Sequence, residues 1–433
     1  MALFRNILLN LFGTGLFSVL HLVIGIFLAR LLTPAGLGQY SLVISFITIV
    51  ATVFSLGIGS ASIYAINNRK EPPERVSTNA LKLSMLAACV TAVVVAPILL
   101  RRGYFGDLAL AVILIVCLYC AALVILEATY PILIASFRIR EYTMVRLVPG
   151  LALLALVMIT MSEGTLTVPL AFSYTAAGQW LGLGLLLWCL RDVLDRRIPL
   201  AAEQVKPLVG YGLKLNASYM MHLLNWEAGL FLVRYFTPDF SEVGFYRIGI
   251  RLGGILLLAG NAIGPLLYSK WSSAEGGERQ RQAESVSRVF WFFLFVSLGM
   301  LELFAGWIIP ALYGPEYLPA VPLMRILLIG IGARFLMVPM IEVFSSGGKP
   351  LLGAVVHGVS VISMVALMVF LIPHRSGSGA SIAFAVSNCI GLAACYYLGA
   401  HRFRINLWRC FLITWQDFVR LSGILRSLAE RPA

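Results

Sequence analysis

Long apolar runs, separated by short polar segments, dominate this chain of 433 residues. A helix that crosses the hydrocarbon core of a bilayer needs about 20 predominantly apolar residues. The pattern therefore predicts an all-α polytopic membrane protein with about twelve transmembrane helices, connected by segments rich in proline, glycine and charge. The predicted spans are 7–29, 39–66, 80–100, 108–136, 144–161, 166–190, 207–235, 243–268, 286–309, 323–345, 351–372 and 379–399.

One short pattern occurs twice in the chain, about 204 residues apart. Residues 27–34 read Phe-Leu-Ala-Arg-Leu-Leu-Thr-Pro and residues 231–238 read Phe-Leu-Val-Arg-Tyr-Phe-Thr-Pro, and a Gly-x-Tyr follows each copy. A self-match at about half the chain length is typical of transporters built from two related halves, with the site between them. We therefore expect two pseudo-symmetric six-helix bundles, at 1–200 and 201–400.

The arginine and the proline of each copy lie where an apolar run ends. Arg30 and Arg234 close the runs, and the Thr-Pro pairs that contain Pro34 and Pro238 interrupt the helices. We expect these four residues to form a gate or hinge on the outer side of the membrane. Proline is more commonly used simply to end a helix, and this alternative stays open.

The overall composition supports a membrane protein. Hydrophobic residues make up 60% of the chain and charged residues 12%, too little polar surface for a soluble protein of this length. The first apolar run, 7–29, is too long for the core of a cleavable signal, so we expect it to be retained as the first span.

The lysines and arginines orient the predicted helices. With the N-terminus inside, the inner segments contain 22 of them and the outer segments 5. Basic residues near span ends favour the cytoplasm, so we expect both termini on that side. The net charge of +13 is then explained by topology, and no nucleic-acid partner is expected.

Residues 401–433 form a basic tail after the last predicted span. Between Trp408 and Arg426, aromatic and aliphatic residues are mixed with arginines, as in an amphipathic helix on the anionic inner leaflet. A partial thirteenth span is the alternative, although Gln416, Asp417 and Arg420 interrupt it.

The first and seventh spans each carry a stripe of polar and small residues on one helical face. The two stripes are Asn10, Thr14, Ser18, His21 and Gly25, and Lys214, Ser218, His222, Asn225 and Gly229. Polar groups that face lipid are costly, so we expect both stripes to face the interior. Hydrogen bonding between helices is the structural alternative, which fits the hydroxyl residues better than His21 and Lys214.

Arginines lie within the predicted spans of the second half. Aligning the two Gly-x-Tyr motifs places Arg247 and Arg251 opposite Ser41 and Ser45, and Arg334 lies deeper in its span. A guanidinium at such depth costs at least about 2.5–3.5 kcal/mol on insertion scales. Each arginine therefore needs a carboxylate, a phosphate or water.

Basic residues outnumber acids within the spans, six to four, when Arg146, Arg234 and Arg288 are counted with the inner and outer segments. An interior cavity with surplus positive charge suits an anionic cargo, and guanidinium groups suit phosphate oxygens. The expected cavity residues are Arg251, Arg334, Arg247, Lys214, His21 and Asn225. We expect Glu127 or Glu227 to load any coupling ion, whereas arginine–glutamate pairing as structural glue is the alternative. No cofactor or metal is expected.

Several motifs, in their order along residues 1–400, resemble those of the oligosaccharide and polysaccharide flippases. These are the O-antigen and exopolysaccharide (Wzx-type) flippases of the multidrug/oligosaccharidyl-lipid/polysaccharide (MOP) exporter superfamily. The segments that carry the resemblance are 29–34, 36–40, 56–59, 243–246, 312–317, 347–350 and 377–380. The tail after residue 400 is not covered.

The resemblance implies alternating access through a central basic cavity between two six-helix bundles. It implies as cargo an undecaprenyl-diphosphate-linked oligosaccharide repeat unit, moved from the inner to the outer leaflet of the bacterial cytoplasmic membrane for surface polysaccharide biosynthesis. Arg251 and Arg334 are then expected to pair with the diphosphate. Polysaccharide polymerases or glycosyltransferases are possible partners, besides membrane lipid.

Three other functions fit the sequence less well. An ion-coupled multidrug/cation antiporter of the same fold is the nearest alternative, but it needs a carboxylate-rich aromatic pocket. An intramembrane polymerase or ligase needs a sizeable outer segment, whereas the longest here, 310–322, contains Glu316 as its only acid. A membrane scaffold does not explain the repeated polar stripes. We therefore expect a transporter and not an enzyme.

Overall fold

The computed structural model describes residues 2–101, 103–163, 166–195, 197–200, 202–272 and 276–411. These residues form α-helices with two short 3-10 helices, Arg191–Val193 and Pro315–Tyr317, and no β-strand. The α-helices are α1 Ala2–Leu31, α2 Pro34–Phe54, α3 Ile58–Asn67, α4 Pro73–Leu99, α5 Leu110–Thr129, α6 Pro131–Ala135, α7 Ile139–Glu163, α8 Val168–Leu190, α9 Ala202–Phe236, α10 Phe240–Gly253, α11 Ile255–Ser272, α12 Gly276–Tyr313, α13 Ala320–Ser346, α14 Leu351–Phe403 and α15 Trp408–Phe411.

The all-α membrane fold predicted from the apolar runs is confirmed. Within the described ranges, nine helical segments are long and apolar enough to cross a membrane. One of them, α14, has 53 residues and a non-helical Ser376, so it holds two of the predicted spans. Two further predicted spans fall on α9 and on α10 with α11, which carry many of the polar residues discussed above. The total of twelve spans and the cytoplasmic termini remain predictions.

The interruptions predicted from the repeated Thr-Pro are present in both copies. Between α1 and α2, the Thr33 hydroxyl accepts a hydrogen bond from the Gly36 N–H at 3.2 Å, and Pro34 occupies the first turn. Between α9 and α10, the Asp239 carboxylate accepts from the Ser241 N–H at 2.8 Å. Both are helix N-caps, so each Thr-Pro segment ends one helix and begins the next.

The chain divides into two compact units. The first contains Met1–Arg247 and Ile309–Pro319, and the second contains Ile248–Ile308 and Ala320–Ala433. These units are defined by packing, whereas the predicted halves 1–200 and 201–400 are defined by the sequence repeat. The halves remain a prediction. Most of the predicted tail, after residue 411, lies outside the described residues.

In the first unit, α5 is the central helix. It packs against α2, α4 and α8, while α7 packs against α1 and α8, and α9 packs against α2 and α3. Small buried residues such as Ala122 and Ala128 allow these close contacts. In the second unit, apolar residues around Trp271 and Phe344 form a buried cluster.

Candidate transport site

A break in the second predicted span forms one wall of an interior cavity. Leu56 and Gly57 have φ angles of 52° and 65°, so α2 and α3 are separate helices. A Cβ on Gly57 would lie 2.2 Å from the Gly212 carbonyl oxygen on α9, so glycine is required for this approach. One turn further along α9, Asn216 Nδ2 donates a hydrogen bond to the Thr52 carbonyl oxygen at 2.7 Å. The end of α2 is thereby tied to α9.

A cavity of about 230 Å³ lies between this break and the break between α5 and α6. Pro131 has no N–H, so it cannot donate the usual helical hydrogen bond to the Glu127 carbonyl oxygen. Interrupted helices of this kind are typical of the binding sites of membrane transporters. The cavity is lined by Thr52, Ser55, Gly57, Gly59, Ser60, Glu127, Tyr130, Pro131, Leu215, Asn216 and Tyr219.

A second cavity, of about 270 Å³, shares three residues with the first: Glu127, Tyr130 and Tyr219. The two cavities therefore adjoin at Glu127, and we call them together the Glu127 site. The other residues that line the second cavity are Phe17, His21, Leu123, Leu126, Val145, Arg146, Pro149 and Gln179. The site lies wholly within the first unit and brings together one carboxylate, one guanidinium, one imidazole and two amides.

Arg146 is held in place by aromatic rings. Its guanidinium carbon lies 4.4 Å from the Phe17 ring centroid and 5.4 Å from that of Tyr142, and its Nη1 donates to the Tyr142 hydroxyl at 3.0 Å. The centroid of the neighbouring His21 ring lies 4.0 Å from that of the Phe17 ring, and His21 Nδ1 lies 2.9 Å from the Phe17 carbonyl oxygen. A guanidinium stacked on rings is a pre-organised cation with planar donors, suited to phosphate or carboxylate oxygens.

A buried ion pair joins two residues to which the sequence analysis assigned separate roles. Arg247 Nη1 lies 2.8 Å from Glu227 Oε2, with 16% and 8% of the two side chains exposed. The Ser45 hydroxyl donates to the same carboxylate oxygen at 2.6 Å. Pairing of an arginine with a glutamate is the alternative to ion coupling that the sequence left open for Glu227. In this structure each charge of the pair neutralises the other.

Breaking this ion pair from one side is expected to destabilise the protein strongly. In Glu227→Gln the Arg247 charge loses its partner, which costs about 3–5 kcal/mol of unfolding free energy. Ser45→Ala removes only one hydrogen bond to a charged group, worth about 1.5–3 kcal/mol. The measurement is denaturant unfolding in detergent, followed by circular dichroism. The double variant Glu227→Gln/Arg247→Gln should recover most of the loss, and a double variant as unstable as the single one would contradict the assignment.

In the second unit, Arg334 is the most deeply buried of the predicted cavity arginines. Its exposure is 5%, and His357 on α14 is close enough to interact with its charge. Glu342 lies two turns further along α13, where its carboxylate faces Gly264 of α11. Arg251, on α10, is partly buried. Arg334 is therefore buried among packed helices of this unit, and its expected role in binding cargo stays a prediction.

Each arginine of the repeated motif binds backbone carbonyls at the predicted outer end of the first unit. Arg30 donates from Nε to the Leu312 carbonyl oxygen at 2.7 Å and from Nη2 to that of Ala311. Arg234 donates from Nε to the Tyr104 carbonyl oxygen at 2.8 Å and makes further bonds to neighbouring carbonyls. The two arginines therefore occupy equivalent environments, as the repeat would lead one to expect.

Two tyrosines make the reciprocal contacts, from the segments that the arginines bind back to the helices that carry the arginines. The Tyr317 hydroxyl lies 3.0 Å and 3.1 Å from the carbonyl oxygens of Ala29 and Leu32. The Tyr104 hydroxyl donates to the Phe231 carbonyl oxygen at 2.8 Å. Each tyrosine belongs to the segment after the third span of one predicted half and binds the first helix of the other half. We call Arg30, Arg234, Tyr104 and Tyr317 the outer clasp.

Burial keeps the clasp tyrosines protonated. It raises the pKa of Tyr104 to about 12, although the nearby Arg234 charge acts in the opposite direction. Burial also raises the pKa of Tyr317, and the Glu316 carboxylate adds to this effect. Both hydroxyls therefore remain hydrogen-bond donors throughout the physiological pH range.

Directly beside the clasp, α2 and α10 cross with their backbones in contact. A Cβ on Gly38 would lie 1.9 Å from the Phe240 carbonyl oxygen, and a Cβ on Gly244 would lie 2.3 Å from that of Pro34. Real Cβ atoms essentially never approach closer than 3.0 Å. The glycines of the two Gly-x-Tyr motifs are thus the residues that let the two Thr-Pro segments meet.

The remaining predicted residues have simpler environments. Lys214 is exposed on α9, whereas Asn225, two turns from the Glu127 site on the same helix, is fully buried. Pro34 begins α2 and Pro238 precedes α10, the ordinary use of proline at a helix boundary. The assigned roles of these residues in binding and gating remain predictions.

Several residues of the site and the clasp were missed from the sequence. Arg146 was counted among the inner basic residues because the fifth span was predicted to begin only two residues before it, but α7 begins at Ile139. Tyr104 lies in a loop and Tyr317 lies at the end of a three-residue 3-10 helix, and both segments are too short for a helical period to mark them. The one available signal was an aromatic residue after the third span of each half.

Comparison with known proteins identifies the family. A family model described as polysaccharide biosynthesis protein matches residues 3–265. No curated protein sequence matches the chain. Among solved structures, the fold is similar to an inward-facing multidrug resistance MATE family transporter of the MOP superfamily, with TM-score 0.75 and 16% identity over 90% of this chain and 94% of that one.

Two other solved structures have the same fold. The lipid II flippase MurJ, in an inward closed conformation, has TM-score 0.77 and 12% identity over 98% of this chain and 94% of that one. A MOP superfamily transporter from Pyrococcus furiosus, in which reverse polarity of the binding pocket suggests a different function, has TM-score 0.64 and 14% identity over 93% and 95%. At these identities the likeness shows the fold alone. The family model, however, covers more than half of the chain, and the chain therefore belongs to the polysaccharide biosynthesis protein family.

Proposed function

We propose that this protein is a flippase for an undecaprenyl-diphosphate-linked oligosaccharide repeat unit. It moves the cargo from the inner to the outer leaflet of the bacterial cytoplasmic membrane, by alternating access, for surface polysaccharide biosynthesis. The observation that carries the proposal is the Glu127 site, a polar cavity at two helix breaks inside an otherwise apolar bundle. The polysaccharide biosynthesis family and the fold shared with transporters support the same conclusion.

The cargo's diphosphate requires cationic donors. In the first unit Arg146, oriented by Phe17 and Tyr142, supplies such a donor to the cavity. Arg251 and Arg334 are proposed to serve the diphosphate at another stage of transport, since buried guanidinium groups are stabilised by anions. Arg247 is assigned a lesser role than its sequence position suggested, because Glu227 already neutralises it.

Glu127 is proposed to load the coupling ion. Its carboxylate lies where α5 ends, near the end of α2, and the partial negative charge of helix C-termini favours a cation there. The Thr52 and Ser55 residues of the same cavity supply further oxygen atoms. Glu227 is the weaker candidate, since its carboxylate is committed to Arg247 and Ser45.

The outer clasp is proposed to hold the protein closed toward the outer side while cargo is loaded from the cytoplasm. Opening requires the release of backbone hydrogen bonds made by both arginines and both tyrosines. These bonds connect side chains to carbonyl oxygens, so the same donors can be transferred to water as the segments separate.

One observation favours the alternative, an ion-coupled cation antiporter of the same fold. The carboxylate of Glu127 shares its cavity with the rings of Tyr130 and Tyr219, and a carboxylate with aromatic rings is suited to organic cations. Arg146 in the adjoining cavity acts against this reading, because it repels cations.

Ligand binding to purified protein distinguishes the two functions. A ligand that binds only the folded state raises its stability, by about 2.7 kcal/mol at a hundredfold excess over the dissociation constant. We expect a polyprenyl-diphosphate-linked oligosaccharide to raise the midpoint of thermal unfolding in detergent and a cationic dye to leave it unchanged. Stabilisation by the dye alone would favour the antiporter.

A further inference from the structure

The smaller cavity of the Glu127 site, of about 230 Å³, differs in chemistry from the larger cavity that it adjoins. Among the described residues that line it, Glu127 alone carries a charge, whereas the larger cavity contains the Arg146 guanidinium and the His21 imidazole. The two parts of the site therefore suit different parts of one ligand. We call the smaller one the hydroxyl cavity, after its neutral polar residues Thr52, Ser55, Ser60, Asn216, Tyr130 and Tyr219.

Hydrogen bonds within the protein fix the wall of the hydroxyl cavity. The Thr52 hydroxyl donates to the Thr48 carbonyl oxygen at 2.8 Å, and the Ser55 hydroxyl donates to the Thr52 carbonyl oxygen at 2.9 Å. Asn216 Nδ2 donates to that same carbonyl oxygen, which leaves the amide oxygen of Asn216 as an acceptor. Ser60 is exposed on α3. A ligand that carries several hydroxyl groups, each both donor and acceptor, matches such a wall.

Tyr219 presents an open aromatic ring to the same cavity. This residue is 55% exposed, although it lines both parts of the site. A sugar ring has an apolar face of C–H groups, which the negative face of an aromatic ring attracts, and a rim of hydroxyls. The volume is below the roughly 300–1,000 Å³ of pockets for drug-sized ligands, so the cavity suits a single sugar ring better than an oligosaccharide.

The position of the hydroxyl cavity beside Arg146 follows the order of groups in the proposed cargo. Tyr130 lines both cavities, and its ring centroid lies 5.6 Å from that of Tyr142. The Arg146 guanidinium carbon lies 5.4 Å from the same Tyr142 centroid. In a glycosyl diphosphate, a single oxygen atom joins the first sugar to the phosphate. A diphosphate bound to Arg146 therefore places the first sugar next to Tyr130 and Tyr219.

We propose that the hydroxyl cavity binds the sugar that is linked directly to the diphosphate of the cargo. The sugar ring lies against Tyr219, and its hydroxyls exchange hydrogen bonds with Ser60 and Asn216. The later sugars of the repeat unit lie outside this cavity, so recognition is strictest at the first sugar. The proposal rests on the proposed function and adds to it the residues that recognise the sugar.

Binding of lipids that differ by one sugar tests the proposal. The purified full-length protein in detergent is titrated with a polyprenyl diphosphate, and with the same lipid carrying one hexose or one N-acetylhexosamine. Each shift in the midpoint of thermal unfolding is measured against the ligand-free midpoint of the same variant. We expect the wild type to bind one of the glycosylated lipids roughly tenfold more tightly than the sugar-free lipid. Tyr219→Ala should remove most of this preference, since an aromatic contact contributes roughly twofold to tenfold in affinity.

Four further variants separate sugar recognition from folding and from phosphate binding. Tyr235→Ala removes an exposed tyrosine from the same helix, outside both cavities, and should keep the preference. Tyr219→Phe retains the aromatic ring and should keep most of it. Ser60→Ala removes one hydrogen-bonding group and should reduce it in part. Arg146→Ala should weaken the binding of all three lipids alike, so that the preference is unchanged.

The possible failures of the two proposals are distinguishable. Equal binding of sugar-free and glycosylated lipids by the wild type, or an unchanged preference in Tyr219→Ala, would overturn the sugar site but leave the flippase proposal standing, because the lipid diphosphate still binds. An equal loss of all three lipids in Tyr219→Ala would also overturn the sugar site, since the ring would then serve the diphosphate or the fold. Binding of none of the lipids by the wild type would contradict the proposed function itself and the sugar site with it.

Discussion

Replacing Gly38 by alanine is expected to abolish transport while leaving the protein folded. The added Cβ would lie 1.9 Å from the Phe240 carbonyl oxygen, so α2 and α10 would have to move apart by about an ångström. Overpacking of this kind costs about 1–3 kcal/mol or more, which corresponds to a loss of the closed state of about 5-fold to 150-fold or more. The atom that the new Cβ would meet is a backbone oxygen, so no change of side-chain conformation can relieve the clash.

Two quantities are measured: the rate of transport, and the labelling of a cysteine on α2 by a reagent added from the outer side. In a cysteine-free background, Ser41→Cys lies buried on α2 beside the crossing, and Gly38→Ala should increase its labelling by a membrane-impermeant maleimide. Gly244→Ala, whose Cβ would lie 2.3 Å from the Pro34 carbonyl oxygen, should have the same effect. Gly15→Ala is the matched control, because a Cβ there meets no atom within 4 Å. Wild-type transport and labelling in Gly38→Ala would refute the gate.

Replacing Arg146 by alanine is expected to weaken cargo binding by roughly tenfold to a hundredfold. Hydrogen bonds to a charged group contribute about 1.5–3 kcal/mol, and Phe17 and Tyr142 pre-organise this guanidinium for such bonds. The readout is the shift in thermal unfolding as the polyprenyl-diphosphate-linked oligosaccharide is titrated.

Two variants serve as controls for this prediction. Arg140→Ala removes an exposed arginine from the same helix, outside the cavity, and should bind like the wild type. Arg146→Lys keeps the charge but loses the planar donor set, so it should retain only part of the affinity. Equal binding by Arg146→Ala and Arg140→Ala would remove Arg146 from the site.

Patterns in the sequence were sufficient to predict the all-α fold and the two Thr-Pro interruptions, whereas the gate assigned to them stays a prediction. The Thr-Pro interruptions follow from local rules, since proline ends one helix and a polar cap begins the next. The equivalence of Arg30 and Arg234 follows from the repeat, and their similar carbonyl contacts agree with it. These features depend on residues close together in the chain, which is why the pattern reveals them.

Features that depend on contacts between helices could not be predicted in this way. The pairing of Glu227 with Arg247 joins α9 to α10, and a helical period orients each residue without selecting its partner. The cavity itself arises where breaks in two spans meet, and the break at Leu56 requires a positive φ that the residue type does not suggest. Arg146 was missed because the predicted fifth span begins only two residues before it, so it was counted with the inner segment, whereas α7 begins at Ile139.

The sequence predicts a central cavity with surplus basic residues, and this stays a prediction. Among the residues expected there, Arg247 is paired with Glu227 and Lys214 is exposed. In the first unit, the Glu127 site instead combines one carboxylate with one guanidinium. A site with both signs suits a transporter that exchanges an anionic cargo against a coupling cation, and it makes the substrate class the decisive question.

Transport in proteoliposomes tests that question most directly. The movement of a polyprenyl-diphosphate-linked oligosaccharide and of a cationic dye is followed for the wild type, for Arg146→Ala and for Arg251→Ala/Arg334→Ala. We predict that only the lipid-linked oligosaccharide crosses and that the arginine variants lose this activity. Movement of the dye under a proton gradient, with the lipid-linked oligosaccharide left in its original leaflet, would contradict the flippase assignment and identify a cation antiporter.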